Sequence, residues 1–180
     1  DRYLGNIYRK QNDLDKALAA YQRSNNMIED KESNPYRNGL LMEGHVYTFK
    51  GEYESGREKY YEGMQSAIKN KDYNWVVGFT NYIAQGYLYQ KDFASAINVL
   101  SETQLMIPSF EETELQKINR VNFLEFFKFL AFGHSQKPEE TLASISRIKE
   151  LNEDATEIRL SPEEIKQKQK ERIILNRDTG

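Results

Sequence analysis

Few residues of this 180-residue chain have the types and spacing that catalysis or ligation requires. His45 and His134 are the only imidazoles, and neither sits in a His-x-x-x-His or Glu-x-x-His pattern that would place two metal ligands on one helix face. Gly51-x-x-x-x-Gly56-Arg57-Glu58 approaches a phosphate-binding loop. That loop needs Lys followed by Ser or Thr, and a strand before it; both are missing here. Gly51 reads instead as a turn residue and Gly56 as a point of close helix contact. The acidic pairs Glu111-Glu112, Glu139-Glu140 and Glu163-Glu164 fall in predicted first turns, where carboxylates favour the positive end of the helix dipole. They read as helix starters and not as acid–base dyads. Lys166, Lys168, Lys170 and Arg172 make a basic strip that Glu163, Glu164 and Glu171 nearly cancel, so it reads as a solvated face. The chain has no cysteine, which excludes a disulfide framework, a thiolate zinc site and a cysteine nucleophile. No catalytic residue, metal site or cofactor is expected, and the chain reads as non-enzymatic.

Composition narrows the partners. With 25 basic against 28 acidic residues the formal charge is −3, the wrong sign for sequence-independent binding to nucleic acid. Mean hydropathy is −0.81. No stretch reaches the roughly 18 uninterrupted apolar residues of a spanning helix, so a soluble protein, cytoplasmic or periplasmic, without membrane insertion is expected. Composition leaves the compartment and the oligomeric state open.

The elements that position these residues repeat. Tyr8, Tyr47 and Tyr87 recur at spacings of 39 and 40, each preceded at the same distance by a small residue, Gly5, Gly44 or Ala84. Nine positions after each Tyr comes Ala17, Gly56 or Ala96, and four later Tyr21, Tyr60 or Leu100. Between the halves lie Asn12-Asp13-Leu14, Gly51-Glu52-Tyr53 and Lys91-Asp92-Phe93. Each unit is therefore helix, tight turn, helix. Small residues at fixed points let two backbones approach, and the aromatics one turn away fill the space around them.

These residues resemble the tetratricopeptide repeat (TPR), whose pattern runs Leu-Gly-x-x-Tyr, Ala, aromatic, Pro. Leu4, Gly5, Tyr8, Ala17 and Tyr21 match in the first unit; Ile83, Ala84, Tyr87, Ala96, Leu100 and Pro108 match in the third. The second departs with Glu43 where Leu is usual. A degenerate fourth unit puts Phe132, Thr141 and Ile145 on the Tyr, Ala and aromatic places, with Phe129 at the small one. Periods longer than the usual 34 or so imply longer helices, similar to bacterial regulatory and scaffold members of the family. The implied fold is an all-α, right-handed superhelical stack of antiparallel helical hairpins with a C-terminal capping helix. The units span about 1–32, 33–71, 72–108 and 109–152, with 153–180 a linker and last helix. Asp1 falls in what reads as a helix interior, so further repeats or another domain are expected ahead of it.

Helices are predicted near 1–11, 14–30, 35–50, 53–70, 73–90, 93–106, 110–133, 138–151 and 162–175, and no strand. Asn34 is the expected cap of the third, with Pro35 in its first turn; Ser109-x-x-Glu112 is the expected capping box of the seventh and Ser161-x-x-Glu164 that of the last. His134 reads as a helix-end residue. The segment 123–132 is apolar on nearly every side, so it is expected to be covered by its repeat partners and by the helix at 162–175, or else to serve as an exposed docking stripe.

In stacked hairpins the first helix of each pair lines the concave surface. In register those residues are Arg2, Asn6, Arg9 and Lys10; Asn38, Leu41, His45, Thr48 and Phe49; and Asn81, Gln85, Leu88 and Tyr89. Cations at one end with amides and aromatics further in suit an extended or helical peptide with an acidic end. Family members that grip a C-terminal carboxylate use Lys and Asn in successive units. Arg2 and Asn6 match the first half of that clamp, whereas Met42, Gly78 and Tyr82 replace the rest, which argues against chaperone-tail recognition. The expected function is a protein- or peptide-binding scaffold or regulatory module. The alternatives are an accessory repeat domain of a larger enzyme and a self-associating structural segment.

Overall fold

The computed structural model describes residues 1–159 and Glu164. Among these it contains eight α-helices and no strand: α1 (Arg2–Lys10), α2 (Leu14–Asn26), α3 (Asn34–Phe49), α4 (Tyr53–Lys69), α5 (Tyr73–Tyr89), α6 (Phe93–Met106), α7 (Glu114–His134) and α8 (Pro138–Arg159). A 3₁₀ turn, Ile107–Ser109, follows α6 and holds Pro108. Each helix packs on the next, giving four hairpins, and α3, α5 and α7 also touch along the inner side.

The hairpin turns repeat in backbone as well as in sequence. Asn12, Gly51, Lys91 and Gln136 all lie in the left-handed region, with φ of 60°, 80°, 60° and 57°. The N–H of the following residue donates back to the repeat aromatic each time: Asp13 to Tyr8 O, Glu52 to Tyr47 O and Asp92 to Tyr87 O at 2.9 Å, and Lys137 to Phe132 O at 3.1 Å. Phe132 thus holds the Tyr place in a fourth unit of the same kind. Only Gly51 takes this conformation freely; a side chain there costs about 1 kcal/mol.

Capping residues fix where the helices start. The carboxylates of Asp13 and Asp92 accept from the N–H groups of Lys16 and Ser95. The cap of α3 is Ser33, whose Oγ accepts from the Tyr36 N–H, while the predicted cap Asn34 is the first helical residue. The capping box of α7 is formed by Thr113 and Gln116 and not by Ser109 and Glu112. The Ser109 hydroxyl donates instead to Met106 O within the 3₁₀ turn, so the helix begins later. Glu111 and Glu112 consequently precede α7, and Glu112 pairs with Arg120. Glu139 and Glu140 do lie in the first turn of α8. That helix continues through residue 152 to Arg159, so 153–159 is helix where a linker was expected. The predicted helix 162–175 and its capping box, Glu164 apart, lie outside the described residues.

The core follows the small-residue register. A Cβ on Gly5 would stand 2.6 Å from the Tyr21 ring, and one on Gly44 would overlap the Tyr60 ring, so both close approaches require glycine. Tyr60, Val76, Phe79, Ile83, Leu100 and Leu124 are buried in one cluster running from α4 to α7. Buried polar groups tie units together. Arg37, 1% exposed, donates to Asn34 Oδ1 at 2.6 Å and Asp72 Oδ2 at 3.0 Å, joining the start of α3 to the turn after α4. Glu125 accepts from Ser144 at 2.6 Å and Gln104 at 2.8 Å, locking α6, α7 and α8 together. Burial opposes its charge, but these bonds and Lys128 hold its carboxyl below the usual range. The apolar segment of α7 is therefore covered by α6 and α8 on one side, while Phe123 and Phe126 remain 43% and 47% exposed on the other.

Candidate functional site

Helical spacing sorts the inner helices into stripes. On α3 the stripe is Asn38, Leu41, His45 and Phe49; on α5 it is Asn74, Gly78, Asn81, Gln85 and Tyr89; on α7 it is Gln116, Arg120, Phe123, Leu130 and His134. With α1 they make one inner surface.

On the α1 and α3 side Arg2, Asn6 and His45 are engaged within the protein. Arg2 Nη2 donates to Pro35 O at 2.8 Å, binding α1 to the start of α3, and Asn6 Oδ1 accepts from the Tyr21 hydroxyl at 2.7 Å. Lys10 is exposed. Arg9 is half-buried, and its Nε meets no hydrogen-bond partner among the described residues. His45 Nδ1 lies 2.9 Å from the Tyr60 hydroxyl, and its ring stands edge-on to Tyr82 at 4.7 Å and tilted to Phe49 at 6.4 Å. Burial, helped by the nearby Arg9 charge, lowers the His45 pKa to about 4, so the imidazole is neutral at pH 7. Burial likewise pushes the Tyr60 hydroxyl up to about 12. The ring cluster is thus an uncharged amphipathic patch. Asn38 is half-buried, and Phe49 at its edge is 62% exposed.

The α5 and α7 side is more open. A cleft of about 410 Å³ is lined by Asn74, Gly78, Gln116, Asn119, Arg120 and Phe123, and a second of about 370 Å³ by Gln85, Leu88, Tyr89, Leu130 and His134. Between them the half-buried Asn81 has a fully buried Oδ1 without a hydrogen-bond partner among the described residues. Tyr89 is 60% exposed, its ring stacked on Tyr53 at 5.9 Å. His134 stacks on Phe93 at 6.4 Å and lines the cleft. Arg120 is fixed by Glu112, by Tyr73 O at 3.3 Å and by Asn74 Oδ1 at 3.2 Å.

The structure therefore places Gln85 and Tyr89 in one cleft and His45 beside Phe49, and it turns Arg2 and Asn6 to internal bonds. Sequence reading missed Asn74, Gln116, Asn119 and Arg120, whereas Phe123 opens the segment it offered as an exposed docking stripe. The signal lay in the spacing of Gln116, Asn119, Arg120 and Phe123, which shares one helix face. Among the described residues no group of three or more His, Asp and Glu is placed to hold a metal ion, and no helix is long and apolar enough to cross a membrane.

No family model and no curated protein matches the sequence. The architecture does match solved structures. The crystal structure of BtubC (BKLC) from P. vanneervenii superposes with a TM-score of 0.65 at 12% identity, over 86% of this chain and 63% of that one. A putative kinesin light chain of P. anserina with nearly identical TPR-like repeats gives a TM-score of 0.65 at 9% identity, over 83% and 72% of the two chains. The fold is that of TPR-like repeats. This TPR-like stack spans less than two thirds of the BtubC chain. At such identities the shared feature is the hairpin packing, and the surface residues of the stack are its own.

Proposed function

We propose that the TPR-like stack is a non-catalytic scaffold or regulatory module that binds a protein or peptide on its inner surface. The observation that carries this reading is the mixture presented there: exposed rings of Phe49, Tyr89 and Phe123, and two clefts lined by the amides of Asn74, Gln85, Gln116 and Asn119. Rings supply desolvated anchors, and amides pair with the backbone of an extended or helical segment. Arg9 and Lys10 add positive charge at the α1 end, which favours a partner acidic at that end.

Site-specific photo-crosslinking tests this. A photoreactive residue replacing Tyr89 should capture a discrete protein partner, and the same group replacing Ile68, exposed on α4, should not. Equal capture from both positions, or capture from Ile68 alone, overturns the inner-surface assignment.

A further inference from the structure

The first helix carries an apolar face that the repeat register marks as a contact surface. Tyr3, Leu4 and Ile7 are 87%, 37% and 50% exposed. In register they take the places of Met42, Glu43 and Val46 on α3, and of Tyr82, Ile83 and Gly86 on α5. Both sets meet the second helix of the unit before. Val46 is fully buried against Ala17 and Tyr21 of α2, Met42 packs on the same cluster, and Glu43 accepts from Asn25 Nδ2 at 3.1 Å. One unit on, Ile83 is buried in the cluster that holds Tyr60 and Ala67 of α4, and the Tyr82 ring lies 5.5 Å from that of Tyr60. A Cβ on Gly86 would stand 3.2 Å from the stem of Arg57. The repeat tyrosine completes the contact. Gln22 Nε2 of α2 donates to the Tyr47 hydroxyl at 3.3 Å, and the Arg57 guanidinium of α4 lies 4.3 Å over the Tyr87 ring. Tyr8 is met instead by Lys16 of its own hairpin, at 5.7 Å.

We propose that the Tyr3, Leu4 and Ile7 face of α1 is an inter-unit surface, and that its occupant is a further TPR-like hairpin stacked in line, with its second helix against α1. Continuity with an interface made twice within the chain identifies the occupant: α2 covers these positions on α3, and α4 covers them on α5. The covering helix needs apolar and amide groups where α2 has Leu18, Gln22 and Asn25.

The test is a tandem in which residues 34–79 are joined directly to Asp1, which carries Tyr3 into the place of Tyr82 and runs the start of α5 into α1. The expected result is one thermal transition, about 5 °C or more above that of the parent chain. Ile7→Asp should abolish that rise in the tandem, yet move the parent by less than about 2 °C because its side chain is exposed there. Two separate transitions, no rise, or a rise that survives Ile7→Asp overturns the proposal. So does a concentration-dependent dimer of the parent that Ile7→Asp disperses in sedimentation, since a second copy would then hold the face.

Discussion

The two sides of the inner surface come from the same repeat but use their polar groups differently. Between α1 and α3, Arg2, Asn6 and His45 are bonded to Pro35, Tyr21 and Tyr60, so residues in groove positions hold the hairpins together. Between α5 and α7, Gly78 opens space, and a Cβ there would meet nothing within 4 Å. Clefts form on either side of Asn81, lined by the amides of Asn74, Gln85, Gln116 and Asn119. A shared register therefore decides which way a side chain faces, while its packing neighbours, in its own hairpin or the next, decide whether it is free to bind.

That contrast can be broken most decisively at Tyr60. Tyr60 is fully buried and touches Gly44, His45, Phe79 and Tyr82. Tyr60→Ala should cost about 3–5 kcal/mol in urea unfolding. A loss below about 1 kcal/mol would show that the α3 side does not depend on this ring.

Acid should act on the same side with a smaller effect. The unfolded imidazole of His45 takes up a proton near pH 6.5, and the folded one only near pH 4. Between those values the unfolded state binds more protons, so stability falls as the pH is lowered from about 6.5 to about 4, by at most about 3 kcal/mol. His45→Gln should flatten that part of the stability curve, as read by denaturation midpoints at a series of pH values. An unchanged slope would place the acid sensitivity elsewhere.

The smallest effect belongs to the open side. Tyr89→Ala should change the unfolding free energy by less than about 1 kcal/mol, because the ring is mostly in solvent and stacks only on Tyr53. A larger loss would make Tyr89 a structural residue like Tyr60 and erase the difference between the two sides.

The fold was largely legible in the residues because the packing positions are periodic and few types fit them. Gly5 and Gly44 had to be small against Tyr21 and Tyr60, and the spacing of Tyr8, Tyr47 and Tyr87 located the turns. Even in the divergent fourth unit, Phe132 and Gln136 keep the turn geometry although Phe129 fills a place that is small elsewhere. The site was less legible. The bond from Arg2 to Pro35 depends on where the next unit begins, and the α7 part of the surface was obscured by Phe residues that serve both core and cleft. The start of α7 was misplaced because the 3₁₀ turn at Pro108 engages the hydroxyl that would have capped the helix.

Packing that runs from each helix to its chain neighbour has a kinetic consequence. Contacts close in sequence need little loop closure before they form, so such a chain can fold fast, and it can also open from one end while the middle stays intact. When no further hairpin covers Tyr3, Leu4 and Ile7, α1 is the natural place for such opening to start. Arg2 and Asn6 would be released with it, and the inner surface would then lengthen or shorten by one helix according to how firmly its end is held.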